Sequence, residues 1–134
     1  MSYVALFALA SGLWLLHAQQ KQSPNFTGGK VTTIEENPQA RLSHYHFDPG
    51  ARTKWHTHEN GQIILVEEGV GRAQAKGGPV VELKAGETNY VGPGVAHWHG
   101  AAPDKGGTQF NVSRGAVNWL EEVSEAEYKT PPRK

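Results

Sequence analysis

No cysteine occurs anywhere in the 134 residues. Disulfides and thiolate ligands are thereby excluded, and any metal must be held by nitrogen and oxygen. Neither sign of charge is in excess, with Lys and Arg totalling 13 and Asp and Glu totalling 13. No basic stripe interleaved with aromatics is present, which argues against nucleic acid as a partner. Also missing is an apolar run of the about 20 residues that a membrane-spanning helix needs. The apolar stretch over residues 4–16 is shorter and is interrupted by Ser11 and Gly12. Sixteen glycines and eight prolines leave little room for long helices and imply many turns.

The apolar stretch ends abruptly in His17-Ala18-Gln19-Gln20. It reads as a secretory signal peptide cleaved near Ala18. Met1-Ser2-Tyr3 carries no Lys or Arg, and Leu16 is large for its place before the cleavage site. An uncleaved anchor and a helix packed on the domain therefore stay as alternatives. The expected organisation is a signal peptide over 1–18, a lead-in and first strand over 19–40, and the main domain over 41–134. A cleaved signal implies a periplasmic or secreted protein with no stable membrane association. Without cleavage the chain reads as cytoplasmic.

From residue 30 onward the pattern is short strands punctuated by turns. Strands are expected over 30–34, 41–47, 54–58, 62–67, 72–75, 80–83, 89–91, 96–100 and 108–113. Asn60-Gly61, Glu68-Gly69, Gly77-Gly78, Ala85-Gly86 and Pro93-Gly94 mark turns between them. Strands at this spacing without intervening helices predict an all-β antiparallel sandwich or barrel. Gly69 and Gly71 read as a barrel corner. Helical spacing of Trp119, Leu120 and Val123, followed by a capping box at Ser124-Glu125-Ala126-Glu127, predicts a short C-terminal helix closing one end of the barrel.

Two His-x-His pairs stand out, His56/His58 and His97/His99, each beside a glycine-containing turn. On a strand, residues two apart point to one side of the sheet. Asn60-Gly61 reads as a type I′ hairpin turn that folds Gln62 back beside His56 and His58. Three imidazoles, from His56, His58 and His97, and the Gln62 amide oxygen make a candidate metal site. Imidazole suits a range of divalent transition metals. All four groups are neutral, so a divalent ion keeps its full charge, which favours Lewis-acid chemistry over redox chemistry. His99 shares a face with His97 and reads as an acid–base group, since its unperturbed pKa lies near neutrality. A fifth ligand or a hydrogen-bonding partner are its other readings. Gln109, Asn111 and Ser113 alternate with Phe110 and Val112, so the polar set faces either a polar lumen or solvent.

These motifs resemble the cupins. Gly50, His56, His58, Gln62 in place of a glutamate, and Gly69 match the first cupin motif. Gly86, Gly94 and His97 match the second, with Gly92 where a proline is expected. The resemblance covers roughly residues 41–123. It implies a single-domain double-stranded β-helix, or jelly-roll barrel, with a short C-terminal helix, a small-molecule substrate and a homo-oligomer. Within the cupins, the run from Pro49 to Thr53, Trp55-His56-Thr57-His58, Gly61-Gln62, and His97 to Pro103 are similar to the small manganese-dependent bacterial hydroxynitrile lyases. That likeness implies a divalent metal, manganese by preference with iron, zinc, nickel or cobalt as alternatives, on His56, His58, Gln62 and His97. It implies reversible cleavage of a cyanohydrin to a carbonyl compound and HCN. It also places Ser43 and Tyr45 in a more crowded pocket and sets Gln109 where the relatives keep an imidazole. Replacing Gln109 by His is then expected to add a base. Two other classes fit the same ligands: an iron-dependent dioxygenase, and a non-catalytic module binding a sugar or metabolite.

Overall fold

Among the described residues, short strands between glycine turns become eleven β-strands and one helical turn. The computed structural model describes residues 22–133, and the expected signal peptide lies outside them. The strands are β1 (Phe26–Thr27), β2 (Val31–Asn37), β3 (Leu42–Phe47), β4 (Arg52–Thr53), β5 (His56–His58), β6 (Gln62–Ala75), β7 (Val80–Lys84), β8 (Thr88–Val91), β9 (His97–Ala101), β10 (Gly107–Ser113) and β11 (Val117–Trp119). They wrap antiparallel into a nearly closed barrel, the all-β jelly roll that the turn spacing predicts. Among the described residues, no helix is long and apolar enough to cross a membrane.

One strand belongs to both sheets of the barrel. The first half of β6 pairs with β8 and β10, and its second half pairs with β7 and β9. Two separate strands, 62–67 and 72–75, are expected from the sequence, and that reading is corrected. Gly69 takes φ +77°, and a Cβ there would meet the Gly106 carbonyl oxygen at 2.0 Å. A register shift against Thr108 and Gln109 accompanies it. Glycine and bulge together let the strand twist from one sheet into the other without ending.

The expected hairpin at Asn60-Gly61 is a second correction. Gly61 has φ +85°, but Asn60 does not lie at positive φ, so the turn is not type I′. β5 and β6 are not paired. β5 pairs with β9 and β11, and the turn carries the chain between sheets. Gln62 still arrives near the histidines, by crossing the barrel rather than by folding back.

Alternation along each strand divides the side chains. On β9, His97, His99 and Ala101 face the lumen, and Trp98 faces the back of its sheet. There Trp98 joins Trp55, Val80, Val123 and Tyr128 in a buried cluster. A smaller cluster of Phe47, Ala51 and Ala101 fills the lumen at one end. Truncating Trp98 to alanine should cost about 3–5 kcal/mol, the usual range for a buried large aromatic.

The C-terminal segment departs from expectation in two ways. Trp119 lies on β11, which pairs with β5, instead of opening a helix. The helix α1 is only Glu125–Tyr128, with the Ser124 capping box intact. It covers the back of a sheet rather than a barrel end. Arg52 stacks on the Tyr128 ring at 4.3 Å and donates to the Val123 carbonyl at 3.0 Å and to Glu125 at 2.7 Å. Arg72 donates to the Tyr128 carbonyl at 2.8 Å, and the Tyr128 hydroxyl donates to the Ala101 carbonyl at 2.8 Å. These bonds fasten the tail to the outer face of the sheet whose inner face carries the histidines.

Candidate metal centre and its cavity

His56 and His97 are direct cross-strand partners on β5 and β9. That register brings the two His-x-His pairs together, because both point to the lumen. One ring nitrogen from each of His56, His58 and His97 lies within 4.8 Å of the other two, and all three residues are buried. The His56 and His97 ring centroids are 4.2 Å apart.

Hydrogen bonds fix which nitrogen each ring presents. His56 Nδ1 donates to the Lys54 carbonyl and His97 Nδ1 to the Val95 carbonyl, both at 3.0 Å. Their Nε2 atoms are therefore left with lone pairs facing inward. His58 is buried with neither ring nitrogen partnered. Gln62 Nε2 donates to Ser113 Oγ at 3.0 Å, which turns its amide oxygen toward His97 Nε2, 2.7 Å away. Two acceptors aimed at each other at that distance repel unless a cation lies between their lone pairs. Together with the unpartnered His58, this set of three imidazoles and one amide oxygen fits a divalent transition metal.

Burial is the first cause of every histidine shift here. It holds the His56 pKa well below the ordinary value, aided by the neighbouring His99 and His97. His58 is lowered to about 4 by burial and then by His97. His97 is lowered by burial against the opposing pull of the Val95 carbonyl. His99, lowered to about 3 by burial and His97, is raised only partly by its bond to Gln109. All four are neutral near pH 7, the state a metal ligand or a base requires.

His99 stands apart from the triad. Its backbone N–H donates to Thr53 Oγ1 at 3.1 Å. Its Nδ1 bonds to Gln109 Oε1 at 2.8 Å, while Gln109 Nε2 donates to the Gly100 carbonyl at 2.7 Å. With the Gln109 amide so oriented, Nδ1 must carry the proton and Nε2 the lone pair. Gly71 makes this possible, since a Cβ there would meet Val66 at 2.5 Å and Gln109 Nε2 at 3.0 Å.

A cavity of about 340 Å³ opens beside the histidines and includes His58, His99 and Thr53 in its wall. Of the residues expected in a pocket, Ser43, Tyr45 and Ser113 line it. Gln109 and Asn111 are fully buried behind the wall instead. The polar face of β10 thus points into the barrel, but Gln109 meets His99 rather than the cavity. An imidazole at 109 would contact His99, so the expectation that Gln109→His adds a base to the pocket is corrected. Sequence reasoning gave no site role to Glu36 or Phe26. Glu36 accepts from the Tyr45 hydroxyl at the rim, and Phe26 packs edge-on to Tyr45 at 5.3 Å. Burial, then Glu36, pushes the Tyr45 pKa up. Trp119 lies over His56 with ring centroids 4.7 Å apart, placed there by the β5–β11 register. Only the folded pairing reveals these three.

Residues 43–111 match the cupin domain. The chain is a cupin. Over 87 residues this cupin is 44% identical to an (R)-mandelonitrile lyase of Granulicella tundricola, an alignment covering 62% of the chain and 66% of the lyase. It therefore spans just under two thirds of that relative's length. A cupin-like protein of Thermotoga maritima is 38% identical, with a TM-score of 0.70 over 82% of this chain and 90% of that one. A polyketide cyclase of Streptomyces resistomycificus has the same fold, with a TM-score of 0.58, 21% identity and coverage of 81% and 82%.

Proposed function

We propose that this cupin is a metal-dependent lyase that cleaves a cyanohydrin of the mandelonitrile type to a carbonyl compound and HCN. One observation carries the reading: a neutral imidazole acceptor, His99, is held in the wall of a cavity that the triad reaches through His58. The likeness to an (R)-mandelonitrile lyase supplies the substrate class. His56, His58, His97 and Gln62 are the proposed ligands, with manganese as the preferred ion. When bound there, a divalent ion supplies Lewis acidity toward the substrate oxygen.

The protein's own groups do the rest. His99 Nε2 takes the proton from the substrate hydroxyl. The bond between the carbinol carbon and the nitrile carbon breaks, its electron pair leaves with cyanide, and the carbon–oxygen bond becomes a carbonyl. Protonated His99 is an unstable imidazolium in so buried a place, and it returns the proton to cyanide. Atoms and charge balance, and the protein is regenerated. Gln109 keeps the accepting nitrogen of His99 turned to the substrate throughout. Trp119, Tyr45 and Phe26 give the cavity an aromatic side suited to an aryl group.

The test is cyanide release from racemic mandelonitrile, with chiral analysis of the remainder, by protein of known metal content. Activity should vanish on chelation and return with manganese. Unchanged ligand affinity after chelation, without turnover, would make the protein a binding module. Consumption of O₂ during turnover would make it an oxygenase.

A further inference from the structure

Two serine hydroxyls line the cavity from the sheet opposite the histidines, Ser43 on β3 and Ser113 on β10. They lie on adjacent strands, offset by two residues and facing the same way, since Asn111 is the register partner of Ser43. Each receives an N–H from a buried primary amide. Gln62 Nε2 donates to Ser113 Oγ at 3.0 Å, and Asn111 Nδ2 donates to Ser43 Oγ at 3.4 Å. Gln62 is 3% exposed and Asn111 0%. A serine has one O–H and two lone pairs. An amide that fills a lone pair from behind the wall leaves the O–H free to turn to the cavity. Ser113 is held more closely of the two. Ser43 also lies beside the Tyr45 hydroxyl, a weak competing acceptor whose own proton goes to Glu36.

The cavity is thus divided by hydrogen-bonding sense. The histidine side offers an acceptor, the lone pair of His99 Nε2. The serine side offers donors. A cyanohydrin is divided in the same way, with a donor hydroxyl and an acceptor nitrile on one carbon. We propose that Ser113, with Ser43 beside it, forms a nitrile-binding site, in which the hydroxyls donate to the nitrile nitrogen of the substrate and hold cyanide as it departs. This rests on the lyase reading for its substrate class. It fixes the substrate's orientation, with the hydroxyl toward the β9 wall and the nitrile toward the β3–β10 wall.

The test uses phenylacetonitrile, a nitrile with no hydroxyl to react, and the infrared nitrile stretch of its bound form. An O–H donor at nitrogen moves this band to higher wavenumber than in an aprotic solvent. The raised band is expected in the wild type both before and after chelation. It should fall to the aprotic position in Ser43→Ala/Ser113→Ala and persist in Ser113→Thr, which keeps a hydroxyl. Mandelonitrile cleavage should slow by about tenfold per hydroxyl removed, the loss of one ordinary hydrogen bond in the transition state. An unshifted band in the wild type, a shift that survives the double substitution, a shift lost on chelation, or no saturable binding would each overturn the site. A raised, serine-dependent band without mandelonitrile cleavage would sink the lyase reading and uphold the nitrile site.

Discussion

Of the three His-x-His pairs, His44/His46 lies on β3 away from the triad, and the two at the triad are the same in spacing and differ in fate. In the first, both His56 and His58 enter the triad. In the second, His97 enters it and His99 does not. Strand alternation aims all four at the lumen, so period alone cannot separate them. What separates His56 and His97 from His99 is the group behind each ring, while His58 joins the triad with neither ring nitrogen partnered. A local carbonyl two residues back, Lys54 for His56 and Val95 for His97, holds the ring with its Nε2 turned into the triad. His99 is taken instead by Gln109 from another strand, which draws it to the cavity wall. For His56, His97 and His99 the placement follows the outer hydrogen bond more than the position in the motif.

That contrast can be broken by substitution. His58→Ala should have the largest effect, with elemental analysis showing most of the metal lost and cleavage falling to the uncatalysed rate. Full occupancy in that variant would remove His58 from the ligand set. His99→Ala should keep its metal and lose roughly 10²–10⁴ in rate, the usual contribution of a general base. Metal loss on removing His99 would erase the difference between the two pairs. Gln109→Leu should leave metal content unchanged and lower kcat by about tenfold, since one orienting hydrogen bond is removed. Gln109→His should give no gain over the wild type in mandelonitrile cleavage.

A pH titration of metal-free protein sharpens the comparison. The folded pKa values of His58 and His99, about 4 and about 3, lie below the ordinary 6.5. Between these values the unfolded chain binds more protons than the folded one, so stability rises with pH. The melting temperature should therefore be level above about pH 7 and fall progressively below about 6.5. His99→Asn and His58→Asn should each flatten that fall, by up to one proton's worth of slope between the folded and unfolded values. An unchanged slope in either variant would count against the burial of that ring.

Much of this was legible in the sequence. Alternation and glycine turns gave the all-β barrel, and the paired motifs gave the residues of the triad. The Ser124 capping box was read correctly because all its partners lie within four residues. The rest depended on contacts distant in sequence. Gln109 reads as a pocket residue until Gly71, on another strand, makes room for its amide beside His99. Trp119 has helical spacing with Leu120 and Val123, yet pairing with β5 outweighs that weak local preference. Asn60-Gly61 carries the strongest short-range hairpin signal. It failed because the neighbours of β5 and of β6 are supplied from residues 80–119, and no local rule sees them.

The long strand β6 has a consequence for synthesis. Each of its four partner strands lies after it in the chain, between Val80 and Ser113. A ribosome releases Ile63-Ile64-Leu65-Val66 well before any strand exists to cover them. This is a short, uncharged, apolar window, β-branched at Ile63, Ile64 and Val66, of the kind that favours intermolecular pairing in nascent chains. Glu67 and Glu68 follow it immediately, and both are exposed in the folded barrel. They are placed as gatekeepers for the interval in which β6 waits, and in the folded barrel Glu67 is taken up by His44 at 2.6 Å.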